Sequence, residues 1–279
     1  MHIGTARTAY FNWLAARSTG GKFYLRIDDT DRKRSNDEYA ISIVDAMNWL
    51  GLDYDRTFFQ SQRYARYVDL VEDMVSDGKA KKQDGGWVTL LPQDIPDSWE
   101  DEIVGAVPIS ADDKEHMIPG RSEGIVLIKS DGWPTYHFAT VVDDYDYDIN
   151  YIIRGHDHIT NTSRQVAIYR TLGWSLPKYA HVGLVAKKGV PLSKRDGASD
   201  LLSYRDRGYH PEAVLNFLAR LGWGPTVDDK STALLPRQRM LELFLQGGKM
   251  KNAPANMDLQ KLDSFDRKYK ARDKHDSDK

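Results

Sequence analysis

The sequence predicts an α/β fold with a parallel sheet, one smaller β-rich insertion and a helical C-terminal region. Three observations carry that reading. Helical stripes and strand-like runs alternate over residues 1–78 and again over 130–198. Between them, residues 79–129 are rich in Gly, Pro and Asp and hold short β-like runs. Residues 199–270 read as mostly helical, and 271–279 form a charged tail expected to fray.

In chain order, Ala6, Ala9, Tyr10, Trp13 and Leu14 fall on one face of a helix that ends at Gly20-Gly21. Phe23, Leu25 and Ile27 alternate as a strand. Ser35 with Glu38 reads as a capping box for a second helix, striped by Ala40, Ile43, Val44 and Met47 and closed by Gly51. A third helix runs from about Ser61 to Gly78 through Tyr64, Tyr67, Val68, Val71 and Val75. In the insertion, Trp87–Leu91 and Gly124–Ile128 are β-like. Thr140–Val142 and Tyr151–Ile153 read as strands, Thr162–Leu172 as a helix, and His181–Ala186 as a strand. Val214, Phe217, Leu218 and Leu221 mark the helical region beyond.

Composition narrows the function classes. Trp, Tyr and Phe make up 11% of the 279 residues, too many for a globally disordered chain. With 39 basic and 41 acidic residues, net charge announces no nucleic-acid binder and leaves room for a local basic face. The chain has no cysteine, which removes disulfides, thiol nucleophiles and Cys-containing zinc sites. No stretch approaches the roughly 20 apolar residues of a membrane helix, and no secretory signal is visible, so a cytoplasmic location without membrane contact is expected.

Polar residues and glycines concentrate in His2-Ile3-Gly4-Thr5, Arg26–Asp31, Ile153–His158 and Leu192–Gly197. Each has a plain structural reading: a helix cap, a solvated turn, an ion pair of Arg154 with Asp157 or Asp144, an exposed turn. Asp144-x-Asp146-x-Asp148 lacks the Gly and the bidentate Glu of a calcium loop. His156-x-His158 has no evident third ligand, so no metal site is assigned.

In this order the segments resemble the class I aminoacyl-tRNA synthetases, specifically the glutamyl branch. His2–Asn12 resembles its form of the HIGH motif, and Arg26–Asp31 matches R-I-E-D-T-D with Asp28 for Glu. Gly132–Phe138 with Val142-Asp143-Asp144 matches G-x-P-T-Y-x-F/L…V-D-D. Ile153–His158 with Asn161-Thr162 matches I-R-G-E-D-H-x-x-N-T, and Leu192–Gly197 resembles the KMSKS element. Tyr204–Tyr209 and Leu215–Trp223 match the helical segment that follows. The resemblance runs from residue 2 to about residue 269.

It implies a Rossmann-like catalytic domain (1–78 and 130–198), an acceptor-binding insertion (79–129) and a helical stem-contact region (199–270). It also implies ligation of L-glutamate to tRNA(Glu) through a glutamyl-adenylate, with ATP as substrate and Mg²⁺ on its phosphates. His2 and Lys194 are then expected to be catalytic, with His2, Gly4, Thr5, Ser193, Lys194 and Arg195 on ATP. A helix N-terminus suits phosphate, and Lys194 and Arg195 supply a point charge and a fork. Asp28, Tyr136 and Arg154 are expected on the amino acid: Arg154 at a carboxylate, Asp28 near the ammonium, Tyr136 with core packing as its alternative.

Three departures from the family stand out. Only Met1 precedes His2, where the family has a first strand carrying R-F/Y-A-P-S-P-T-G. Pro191 replaces the first Lys of K-L-S-K-R, and the C-terminal anticodon-binding domain is absent. The expectation is a catalytic core short at both ends, monomeric, with anticodon recognition left to a partner in trans. Two other readings follow from the same residues. One is a glutamyl-queuosine tRNA(Asp) synthetase, disfavoured by Arg195 and the lack of Cys. The other is a non-catalytic tRNA-binding paralogue.

Overall fold

Helix α1 (Ile3–Ser18) is built around the stripe the sequence predicts, with Ala6, Tyr10, Trp13 and Leu14 buried. It stops at Gly20, whose φ of 67° suits a residue without a Cβ. We describe residues 1–30, 37–90, 96–109, 124–187, 189–191, 200–226 and 234–277 of a computed structural model. The capping pair is thereby left aside, since Ser35 lies outside the described residues.

Strands β1 (Tyr24–Ile27) and β2 (Arg56–Phe59) pair in parallel, linked through helix α2 (Asp37–Leu50). A turn at 60–63 leads into α3 (Tyr64–Ser76). Strands β3 (Ala80–Gln83) and β4 (Gly86–Thr89) form an antiparallel sheet with β7 (Val126–Ile128). This small sheet lies within residues 79–129.

The insertion is not a self-contained unit. Strands β5 (Ser98–Asp101) and β6 (Gly105–Pro108) lie inside residues 79–129 but join the parallel sheet of the second half. Strands β8 (Tyr151–Gly155) and β9 (Lys178–Val182) are parallel, and β5 continues the sheet beside β9. The order is β6-β5-β9-β8, with β6 antiparallel. Trp99 of β5 packs on this sheet, its indole N–H donating to Ser163 Oγ at 3.1 Å.

Thr140–Val142, read as a strand, is the middle of helix α4 (Tyr136–Asp146). The Thr135 hydroxyl caps its first turn, accepting from Phe138 N–H. Phe138, Ala139, Val141 and Val142 are all buried there, and tertiary packing outweighs the β preference of a Thr-Val-Val run. Helix α5 (Ile159–Leu172) connects β8 to β9 and packs on α4. Short strands β10 (Val185–Lys187) and β11 (Val190–Pro191) follow.

The C-terminal region holds α6 (Leu202–Asp206), α7 (Pro211–Arg220), β12 (Trp223–Pro225), α8 (Arg237–Leu243), β13 (Gly248–Met250), β14 (Ala255–Asn256) and α9 (Leu259–Ser277). Residues 271–277, taken from sequence as a fraying tail, continue α9. An Asp266–Lys270 pair, an Asp273 contact to His210, and Lys274 and His275 near the C-terminal dipole support the extra turns. Among the described residues, no helix is long and apolar enough to cross a membrane.

Two polar clamps hold these parts together. Asp143 of α4, fully buried, accepts from Arg63 Nε (2.7 Å), Gln60 Nε2 (2.9 Å) and the Tyr67 hydroxyl (2.8 Å). Arg7 of α1 donates through Nη1 to the carbonyls of Gly183 (2.7 Å) and Leu221 (3.1 Å), joining the sheet's end to the C-terminal helices. A Cβ on Gly183 would fall 2.2 Å from the Ala253 carbonyl oxygen, so only glycine allows this close approach. Burial pulls Arg7 down to about 10, which still leaves a cation at neutral pH. Arg7→Met should therefore lower the unfolding free energy by about 2–4 kcal/mol in a urea titration, because two buried carbonyls lose their donor. A change below about 0.5 kcal/mol would show that the clasp contributes little.

Candidate active site

Three adjacent strands deliver one residue each to the same cluster. Parallel register sets Arg154 of β8 beside His181 of β9, and Asp101 ends β5 on the far side of β9. Arg154 Nε donates to His181 Nε2 at 3.1 Å. Its Nη2 donates to Thr162 Oγ1 (2.5 Å) and Gln165 Oε1 (2.7 Å), which lie one turn apart at the start of α5. The guanidinium also sits over the Tyr179 ring, 5.6 Å from its centroid.

Arg154 is 9% exposed, and no carboxylate among the described residues pairs with it. Neither structural alternative from the sequence holds. Asp144 accepts from Arg26 Nη1 at 2.6 Å instead. Asp157 lies near Gly155, where a Cβ would meet its Oδ1 at 2.4 Å. A buried guanidinium held only by neutral groups retains an unmet preference for an anion.

Across the site, Arg26 of β1 bridges two carboxylates, with Nε donating to Asp28 at 2.8 Å and Nη1 to Asp144. Burial would lower Arg26, but the Asp28 and Asp144 charges hold it well above its usual value. Tyr136 opens α4, and Thr140 and Asp144 follow on the same face at four-residue steps. Burial raises the Tyr136 hydroxyl, and that hydroxyl feels the charges of Arg154, Asp28, Arg26 and Asp144. Asp28, Tyr136 and Arg154 are thus brought to one locality.

Further polar atoms nearby are buried without partners among the described residues: Thr140 Oγ1, Gln165 Nε2 and the Tyr169 hydroxyl. Sequence reasoning did not single out Thr140, Gln165, His181 or Asp101. Tyr169 and Thr162 were seen only as helix residues or motif matches. The Asp143-Asp144 motif residues prove structural, one holding Arg63 and the other Arg26. Asp29 is structural too, accepting from Ser61 N–H and Oγ–H at 2.7 and 2.5 Å.

The other half of the predicted site lies at the start of α1. His2 is its N-cap, the ring Nδ1 accepting from Gly4 N–H at 3.1 Å. Gly4 makes room for that ring, since a Cβ would sit 3.3 Å from Nδ1. Thr5 is exposed. Asn12 ties α1 to β8 next to Arg154: its Nδ2 donates to the Ile153 carbonyl (2.7 Å) and its Oδ1 accepts from Ile153 N–H (3.2 Å). Ser193, Lys194 and Arg195 lie outside the described residues. Asp144 and Asp146, read against a calcium loop, point to different partners, since Asp146 binds Arg63 and Arg66.

The sequence model of the tRNA synthetases class I (E and Q), catalytic domain, matches residues 1–85 and 90–269. Among curated proteins, the chain is 42% identical over 272 residues to Glutamate--tRNA ligase 2 of Neorickettsia sennetsu, covering 96% of the chain and 63% of that protein. It is 39% identical over 295 residues to Glutamate--tRNA ligase 1 of Acidiphilium cryptum, covering 94% and 62%. The chain therefore spans less than two thirds of the length of these relatives. Among solved structures, a glutamate tRNA ligase from Elizabethkingia meningosepticum in complex with its amino acid superposes with a TM-score of 0.77 at 26% identity, covering 96% of this chain and 67% of that one.

Buried and half-buried histidines make the region acid-sensitive. Burial, then the Arg164 and Arg154 charges, hold His137 down at about 4, and burial lowers His158 and His181 as well. Above the ordinary histidine value, these rings are neutral in both the folded and the unfolded chain. As pH falls below it, the unfolded chain binds protons that the native rings reject, so stability is lost from about pH 6.5 down to about pH 4. Melting temperatures across that window should fall, and His137→Gln should remove about 2 kcal/mol of the pH-dependent loss. A His137→Gln profile parallel to that of the parent would exclude this ring as a source.

Proposed function

Because the chain belongs to the class I tRNA synthetases (E and Q), we propose that it is the catalytic core of a glutamate–tRNA ligase. The reaction joins the α-carboxylate of L-glutamate to the α-phosphate of ATP, releasing pyrophosphate. The glutamyl group then passes to a ribose hydroxyl of the 3′-terminal adenosine of tRNA(Glu), with AMP as the leaving group. The observation that carries this reading is the buried Arg154, held by neutral groups and lacking a carboxylate. The side-chain carboxylate of glutamate supplies that anion and leaves the α-carboxylate free to attack phosphorus.

Asp28 faces the substrate ammonium. Its bond to Arg26 fixes the carboxylate without removing its charge from the site. Tyr136 donates its hydroxyl to the substrate, and burial keeps that hydroxyl protonated. Gln165 Nε2 and Thr140 Oγ1 are the buried polar atoms that a bound amino acid would complete.

For the nucleotide, His2, Gly4 and Thr5 mark the start of α1, whose dipole favours the phosphates. His2 serves there by shaping the first turn, its ring fixed on Gly4 N–H. Ser193, Lys194 and Arg195 are assigned to the leaving pyrophosphate, where Lys194 neutralises developing charge. Mg²⁺ arrives on the triphosphate, whose oxygens are the hard ligands it prefers, and no protein residue is assigned to it. The acceptor arm is proposed to meet residues 79–129 and the C-terminal helices. The chain is proposed to act as a cytoplasmic monomer.

ATP–pyrophosphate exchange with glutamate, run with and without tRNA, tests the proposal directly. Arg154→Lys should raise the KM for glutamate by about tenfold or more, because a point charge cannot replace the fork. Lys194→Ala should cut kcat by about a hundredfold with little change in melting temperature. Absence of exchange under both conditions, together with no binding of glutamate, would refute the enzymatic reading.

A further inference from the structure

Arg154 is itself held by a relay that begins two strands away. Its Nε–H can only donate, so His181 Nε2, 3.1 Å away, must accept. A histidine that accepts at Nε2 is neutral and carries its proton on Nδ1. Asp101 Oδ2 lies 2.6 Å from that Nδ1 and also takes His181 N–H at 3.0 Å. Asp101 Oδ1 accepts from Ile103 and Val104 N–H, both at 2.9 Å. Four donors thus saturate one carboxylate, and the opposite tautomer would set a bare ring nitrogen against it. Asp101 is 3% exposed and His181 is 0% exposed, so no solvent competes. Trp99 and Tyr179 pack on the ring from β5 and β9.

The alternatives at Nε2 can be eliminated by counting protons. Thr162 Oγ1 is 2.9 Å from Nε2, but it already accepts from Arg154 Nη2 and lies 3.1 Å from the His158 carbonyl. Its one proton goes to that carbonyl, leaving the Nε2 lone pair for Arg154. A charged ring would place an N–H against the guanidinium N–H. Burial and the Arg154 charge both lower His181, in the direction the geometry requires.

We propose that Asp101 and His181 are positioning residues for the substrate amino acid. Asp101 fixes the Nδ1–H tautomer of His181, His181 accepts from Arg154 Nε, and the guanidinium plane is set so that Nη1 meets the substrate carboxylate. The proposal rests on Arg154 binding that carboxylate, as argued above. The Asp-His pair here does no proton chemistry. It works as a rigid acceptor for a cation, which a second carboxylate in the same place would instead neutralise.

Two substitutions separate the two ends of the ring. His181→Asn keeps a donor toward Asp101 but withdraws the acceptor from Arg154. His181→Gln reaches the Nε2 position and restores an acceptor. Dissociation constants for glutamate and for ATP would be measured by calorimetry on the full chain. His181→Asn should weaken glutamate by about tenfold while ATP changes by less than about twofold, and His181→Gln should recover most of the loss. Ring ¹⁵N NMR of the parent should show His181 neutral and protonated at Nδ1.

Parent-like glutamate affinity in His181→Asn, equal weakening of both ligands, or an Nε2–H or charged ring in the parent would each overturn the relay. If His181→Asn fails to fold, the ring tautomer and the His181→Gln affinities still decide. Arg154→Ala distinguishes the layers. Unchanged glutamate affinity there sinks the underlying reading. A loss there with none in His181→Asn sinks the relay alone.

Discussion

The guanidinium of Arg154 is surrounded by an imidazole nitrogen, a hydroxyl, an amide oxygen and an aromatic face. Each partner is an acceptor or a π cloud, and none carries a formal charge. Burying an ion typically costs several kcal/mol even after relaxation, and neutral dipoles repay only part of that. The protein tolerates the deficit because α4, α5 and the sheet together fix the pocket. Chemically, the deficit is a standing affinity for one more anion. A carboxylate in place of His181 would remove the affinity along with the strain.

Helix α4 shows the opposite arrangement. Asp143 and Asp144 sit side by side on α4, and each is paired with an arginine, Arg63 and Arg26. Those pairs join α4 to the turn before α3 and to β1, so they do structural work. Arg26 then reaches Asp28 and holds that carboxylate at the site. One face of α4 therefore neutralises charge to make a frame, and its first turn supplies Tyr136 and Thr140 to the space inside. Sorting charges into paired and unpaired is what gives the pocket a cationic end and an anionic end.

Much of this was legible before any coordinates. The α1 stripe, the alternation of helices and strands and the ordered motifs pointed to the fold and to Asp28, Tyr136 and Arg154, because those signals are local or sit in short contiguous runs. What escaped was non-local. Asp101 lies in a segment whose composition reads as a separate β unit, and nothing in Ser98–Asp101 announces that it will extend a sheet whose parallel strands begin some 50 residues later. Thr140–Val142 misled because β-branched residues favour strands on propensity alone, while the fold buries them in a helix capped by Thr135. Partnerships such as Arg154 with His181 follow from strand register, which one sequence does not reveal.

That non-local step also explains how the insertion and the site are coupled. The β5–β6 hairpin contacts the sheet through Trp99 on Ser163, Glu102 N–H on the Tyr179 carbonyl, and Asp101 on His181. Two of these bonds fall on β9 and one on α5, the elements that also hold His181 and Thr162. Moving the hairpin by an ångström would break short bonds at Asp101 before it disturbed any apolar contact, since hydrogen bonds are steeper in distance and angle than packing. Arg154 would lose its orientation while the core stayed intact. The Arg154 end of the site is therefore more sensitive to the position of the inserted segment than the fold as a whole is.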